Sequence, residues 1–133
     1  MRVMVDANII VSAGLFPESI VGKTLNHITE NHVLVLCKYT LEELAEVFTN
    51  KFPDRTKYLN RFIQELKYDL VDIKIRDYSK YPQMRDLNDL PILAGAIESK
   101  VDLLVTGDKD FEEIEIEKLK IIKPKEYIEK FMK

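Results

Sequence analysis

Along this chain, short apolar runs alternate with stretches whose apolar positions recur every three or four residues. Arg2-Val3-Met4-Val5 reads as a strand that ends at Asp6. Residues 19–31 form a helix with Ile20, Val21, Thr24, Leu25 and Ile28 on one face. Val33–Cys37 is apolar without alternation, the pattern of a strand covered on both faces. A helix starting at Thr40 carries Leu41, Leu44, Ala45 and Phe48 at helical spacing and stops at Pro53. Asp54 caps the next helix, whose apolar face is Leu59, Phe62, Ile63 and Leu66. Val71, Ile73 and Ile75 alternate with Asp72 and Lys74, which predicts a half-exposed edge strand. After a loop through Tyr78, Tyr81 and Pro82, Asn88 or Asp89 caps a helix carrying Leu93, Ala96 and Ile97, with Pro91 tolerated in its first turn. Asp102–Thr106 is a strand leading to Gly107 and Asp108, and Leu119–Lys123 is the last strand. From Pro124 a terminal helix turns Tyr127, Ile128, Phe131 and Met132 inward.

Strands alternating with helices imply an α/β architecture, with parallel pairing, right-handed crossovers and helices on both faces of the sheet. The 133 residues show no repeat, linker or low-complexity tract, so one domain spanning 1–133 is expected. Cys37 is the only cysteine and lies in an apolar run, as a small core residue rather than a nucleophile. Asp6 interrupts the opening apolar stretch, and the longest uncharged segment, 7–17, is too short to span a bilayer. A soluble, cytoplasmic protein with no membrane partner is expected. The net charge of −3 argues against general nucleic-acid affinity, although 20 Lys and Arg leave room for a local basic patch.

Candidate chemistry lies in Asp6, Glu43, Asp89 and Asp108, at the ends of predicted strands or the starts of the helices that follow. In a parallel sheet the carboxyl ends of the strands share one edge, so residues remote in sequence meet there. Two carboxylates ~4 Å apart repel by about 4 kcal/mol at an effective dielectric near 20. A cluster of them calls for protons or a hard divalent cation. Each residue also has a purely structural reading. Asp6 suits a turn, Glu43 a capping box with Thr40, and Asp89 a helix cap, with Asp86 a competing acid three residues earlier. His27 and His32 lack the spacing of a metal-binding pair.

Four segments in order resemble the PIN-domain family of metal-dependent ribonucleases. They are Val3-Met4-Val5-Asp6-Ala7-Asn8-Ile9-Ile10-Val11-Ser12, Glu42–Phe48, Asp86–Ala94 and Thr106-Gly107-Asp108-Lys109-Asp110-Phe111. The shape is most similar to the prokaryotic branch that supplies toxins of type II toxin–antitoxin pairs. The resemblance implies a three-layer α/β/α sandwich around a mainly parallel sheet. It also implies Mg²⁺ or Mn²⁺, cleavage of single-stranded RNA, a homodimer and a small antitoxin partner. It makes Asp6, Glu43, Asp89 and Asp108 the catalytic metal ligands, preferring Asp89 to Asp86. Asn8, Thr106 and Asp110 become supporting residues that orient water around the ion.

Two rivals stand beside this reading. A phosphatase of the haloacid-dehalogenase type also begins with Asp after an apolar strand, but needs an acid two residues later, where Asn8 stands. A phosphoacceptor receiver, or a PIN-like scaffold used only for binding, would be no enzyme.

Overall fold

The computed structural model describes residues 1–132. Its centre is a five-stranded sheet, entirely parallel, made of β1 (Arg2–Val5), β2 (Val33–Cys37), β3 (Asp69–Val71), β4 (Leu103–Val105) and β5 (Lys120–Ile122), in the order β3-β2-β1-β4-β5. β1 lies in the middle, with Met4 paired to Val35 on one side and to Leu104 on the other. The chain first works outward through β2 and β3, then returns to the other flank of β1 with β4. That reversal opens a crevice at the carboxyl ends of β1 and β4, where sheets of this kind hold their ligands.

Because side chains alternate across a strand, β1 serves two cores. Val3 and Val5 face a cluster built with Ile10, Leu25, Ile28, Leu44, Phe48, Leu59 and Tyr127. These come from α1 (Ala7–Leu15), α2 (Ile20–Asn31), α3 (Lys38–Lys51), α4 (Thr56–Glu65) and α6 (Pro124–Phe131). Met4 faces the other layer, made with Leu90, Ile92, Leu93 and Ala96 of α5 (Leu90–Glu98) and with Met84, Phe111 and Leu119. The result is the predicted α/β/α sandwich. Among the described residues no helix is long and apolar enough to cross a membrane.

Several elements differ from the sequence reading. Asp54, expected to cap α4, lies in a separate 3-10 turn (Pro53–Arg55), and α4 has Arg55 at its cap position with no side-chain bond. α1 was not foreseen. Six of its nine residues are buried, so it is apolar almost all round and shows no polar face to betray a helical period. The edge strand is Asp69–Val71 rather than 71–75, because β2 ends at Cys37, the partner of Val71, and offers no backbone beyond it. α3 begins at Lys38 instead of Thr40. Thr40 therefore sits buried within the first turn, its Oγ1 without a hydrogen-bond partner, and the capping box with Glu43 does not form. Cys37 is 3% exposed, its Sγ 3.7 Å from Met4 Sδ, which bears out a core role.

Candidate metal centre

Asp6 ends β1 and begins α1. Its extended backbone (φ −86°, ψ 173°) lets Oδ1 accept the N–H of Ile9 at 3.1 Å, so the strand's last acid is also the helix cap. Its Oδ2 accepts the hydroxyl of Thr106, across from the end of β4. The carboxyl is only 6% exposed. Burial pushes its pKa up and the charge of Asp108 adds to that, while the Thr106 and Ile9 bonds pull the other way.

The β4 side is built the same way. The Thr106 hydroxyl that serves Asp6 also accepts the N–H of Asp108 at 3.1 Å. Asp108 Oδ1 in turn accepts the N–H of Asp110 at 2.9 Å, closing the short 3-10 turn Lys109–Phe111. Phe111, 2% exposed, anchors that turn in the second core. Asp108 and Asp110 are thus held by backbone bonds at the mouth of the crevice.

Glu43 reaches the same place from the second turn of α3. It is half-buried, and its pKa is raised by burial and then by the charges of Asp6, Glu46 and Asp86. Asp89 stands where a 3-10 turn (Leu87–Asp89) runs into α5. The expected cap role falls instead to Asp86, whose Oδ1 accepts the N–H of Asn88 at 2.9 Å, whereas neither Asn88 nor Asp89 makes a side-chain cap. The reason is local: Asp89 has helical backbone angles (φ −87°, ψ −15°), which turn its side chain away from the N–H groups ahead. Its Oδ2 is buried and has no hydrogen-bond partner. Burial, then the charges of Asp108, Asp86 and Asp110, push the Asp89 carboxyl up to about 7. Asp110 can bond to it only if one of the two carries a proton.

The tightest group is Asp86, Asp89 and Asp110, which can each bring an oxygen within 4.8 Å of the others. Oxygens bound to one Mg²⁺-sized cation at about 2.0–2.1 Å fall within that span, being at most about 4.2 Å apart. Asp6, Glu43 and Asp108 adjoin this trio through the charge couplings above. Of the four acids singled out in the sequence, only Asp89 belongs to that trio; Asp6, Glu43 and Asp108 lie near enough to feel one another's charge, Asp6 with Asp108 and Glu43, and Asp108 with Asp89. Asn8 is exposed and makes no side-chain hydrogen bond among the described residues; Thr106 is the side chain that holds Asp6.

Tyr39 escaped the sequence reading. It is half-buried in the first turn of α3, and its phenol is pushed up by burial and then by Glu43, Asp89, Asp86 and Glu46. It lies one residue before the helix start expected at Thr40, so its place one turn ahead of Glu43 follows only from α3 beginning at Lys38. Arg85 lies 3.9 Å from Asp110, but at 85% exposure it does little to neutralise the cluster. An all-oxygen donor set with an orphaned buried carboxylate oxygen suits a hard divalent cation and not a soft one.

The sequence matches the PIN domain family over residues 2–110. A protein of uncharacterized function from Methanocaldococcus jannaschii is 31% identical over an alignment of 148 positions, which takes in 100% of this chain and 93% of that protein. Among solved structures, VapBC2 from Rickettsia felis, bound to a DNA fragment from its promoter, superposes with a TM-score of 0.69 at 19% identity. The match covers 92% of this chain and 98% of that one, a likeness of fold. With its sequence matched to the family from the first strand through the acidic turn after β4, the chain belongs to the PIN-domain family, whose members are generally nucleases.

Proposed function

We propose that this chain is a Mg²⁺- or Mn²⁺-dependent endoribonuclease that cleaves single-stranded RNA, with Asp6, Glu43, Asp89 and Asp108 as the metal ligands. The observation that carries this reading is the buried, unpartnered Oδ2 of Asp89, a carboxyl whose pKa burial and then the neighbouring carboxylates raise to about 7. When bound, a hard divalent cation supplies positive charge toward phosphate oxygens and lowers the pKa of an attacking water. The protein's own part is to fix its oxygens in advance. Thr106 and the Ile9 amide hold both Asp6 oxygens, and the Asp110 amide holds one oxygen of Asp108. Asp89 gives up its proton near neutral pH when a cation replaces it, so loading costs little at the pH of the cytosol.

Asp6 suits a fixed ligand better than the nucleophile of a phosphatase, since each of its oxygens already accepts a hydrogen bond. The fold likeness to VapBC2 and the toxin-branch motifs support a role as the toxin of a type II pair, cytoplasmic, homodimeric and silenced by a small antitoxin. Residues 1–133 would then be one nuclease unit, with Asn8, Thr106 and Asp110 ordering water around the ion.

Cleavage of a labelled single-stranded RNA tests the proposal. Activity should stop in EDTA, return with Mn²⁺, and be absent from Asp6→Asn. Cleavage that survives chelation would refute it. Tight Mn²⁺ binding without cleavage would favour a binding role, and a trapped aspartyl phosphate would favour the phosphatase.

A further inference from the structure

The acids at the crevice can hold a cation, but an ionised carboxylate has no donor to offer a phosphate, so the hold on a polyanion must come from other side chains. Two that border the acids keep their donors uncommitted among the described residues, and they come from different elements. Tyr39 stands in the first turn of α3, just beyond the carboxyl end of β2 and one turn ahead of Glu43. Its ring packs against the second core. Unlike the hydroxyls of Tyr58, Tyr81 and Tyr127, its hydroxyl makes no hydrogen bond among the described residues. Glu43, Asp89, Asp86 and Glu46 lie close enough for their charges to act on it. Arg85 is placed by its neighbours. Met84 before it is buried in the second core, and Asp86 after it accepts the Asn88 N–H on its side chain at 2.9 Å and the Asp89 N–H on its carbonyl at 3.1 Å. The Arg85 side chain itself is 85% exposed, and its ion-pair contact with Asp110 at 3.9 Å is too long for a hydrogen bond. The backbone is thus held while the five N–H donors stay free. α3 also begins with no side-chain cap and no acid in its first turn, which leaves its positive end to an anion.

We infer that Tyr39 and Arg85 are the substrate-binding pair of this site: the Tyr39 hydroxyl and the Arg85 guanidinium donate to non-bridging oxygens of the RNA backbone at the phosphate to be cut. The inference rests on the ribonuclease reading above, and it adds the groups that hold the strand to those that hold the ion. A guanidinium matches phosphate geometry with two parallel N–H donors. A phenol keeps its proton at neutral pH, so Tyr39 donates to an anion without adding a charge. Both contacts go to the backbone, so they position the strand and carry no base preference.

Fluorescence anisotropy with a labelled oligouridylate about ten nucleotides long tests the pair apart from the chemistry, in Mn²⁺ and on an Asp6→Asn background so that nothing is cut. Arg85→Ala should weaken binding at least about tenfold and lower the salt slope by about 0.7, as expected for one lost phosphate contact on a single strand. Arg85→Lys should restore the slope but not all of the affinity. Tyr39→Phe should weaken binding about tenfold with the slope unchanged, since it removes a neutral donor. In the cleaving protein the same losses should appear in kcat/KM, equally for oligouridylate and oligoadenylate. Lys120→Ala removes an exposed cation at the amino end of β5, on the opposite edge of the sheet, and should bind as its background does. Without RNA, Tyr39→Phe should melt with the parent and gain as much from Mn²⁺. Normal binding and kcat/KM in either variant, an equal loss in Lys120→Ala, or a Tyr39→Phe loss that comes with weaker Mn²⁺ binding would overturn the pair. Parent cleavage in Mn²⁺, followed in parallel, separates the two readings. A parent that cleaves while the variants bind and cut as it does refutes only the pair; a parent that neither binds nor cleaves refutes both.

Discussion

Thr106 does two jobs with one hydroxyl, donating to Asp6 and accepting from the Asp108 amide, so a single oxygen joins the ends of β1 and β4. Thr106→Val keeps the shape and removes both bonds. It should cost about 1–3 kcal/mol in urea unfolding, because a buried carboxylate loses its donor, and roughly 10–100-fold in RNA cleavage. Unchanged activity in a folded variant would show that Asp6 needs no such support. Asp89→Asn separates function from stability. It should abolish Mn²⁺-dependent cleavage yet raise the melting temperature of the metal-free protein at pH 8 by a few degrees, about what 1 kcal/mol is worth in a chain of this size. At this scale the sequence was partly readable. Asp6 and Asp108 announced themselves by following apolar strands, but Glu43 and Asp89 looked like caps until the family resemblance was considered. Tyr39 was missed because α3 begins two residues earlier than its pattern predicts, which alone brings that ring beside the carboxylates.

Elements place those residues through close contacts that pattern alone does not reveal. α5 reaches the underside of the sheet at Gly95, where an added Cβ would lie 2.7 Å from Cys37 Sγ. Gly95→Ala should therefore destabilise by about 1–3 kcal/mol, as overpacking does, and shift the start of α5 that carries Asp89. Adding Cys37→Ala should recover much of the loss, a non-additivity that a double-mutant cycle in urea would measure. Additive losses would show that the contact is not the cause. The helices with one polar face, such as α2 and α4, were legible from their period. α1 was not, since burial on all sides erases the period. The length of β3 was misjudged because it depends on where its neighbour ends, which is tertiary information.

For the whole molecule, the cost of gathering carboxylates sets how stability varies with pH. Asp89, Asp6 and Glu43 all have folded-state pKa values raised above the unfolded ones. The folded protein then holds protons that the unfolded chain has released, so this contribution is full below the unfolded carboxylate range and is lost as pH rises. For Asp89 the window runs from its ordinary 3.8 to about 7. Metal-free protein should accordingly melt at a lower temperature at pH 8 than at pH 5.5, and Mn²⁺ should raise the melting temperature more at pH 8, where it does not compete with protons. Melting by circular dichroism with and without EDTA checks both. A shift from Mn²⁺ of equal size at the two pH values would contradict a carboxylate site.

The account stands most directly on where a cation binds. Crystals soaked in Mn²⁺ and measured near the manganese edge should show an anomalous peak in the crevice beside β1 and β4, coordinated by oxygens of Asp89 and its acidic neighbours. No peak there, or one on another face of the molecule, would contradict it.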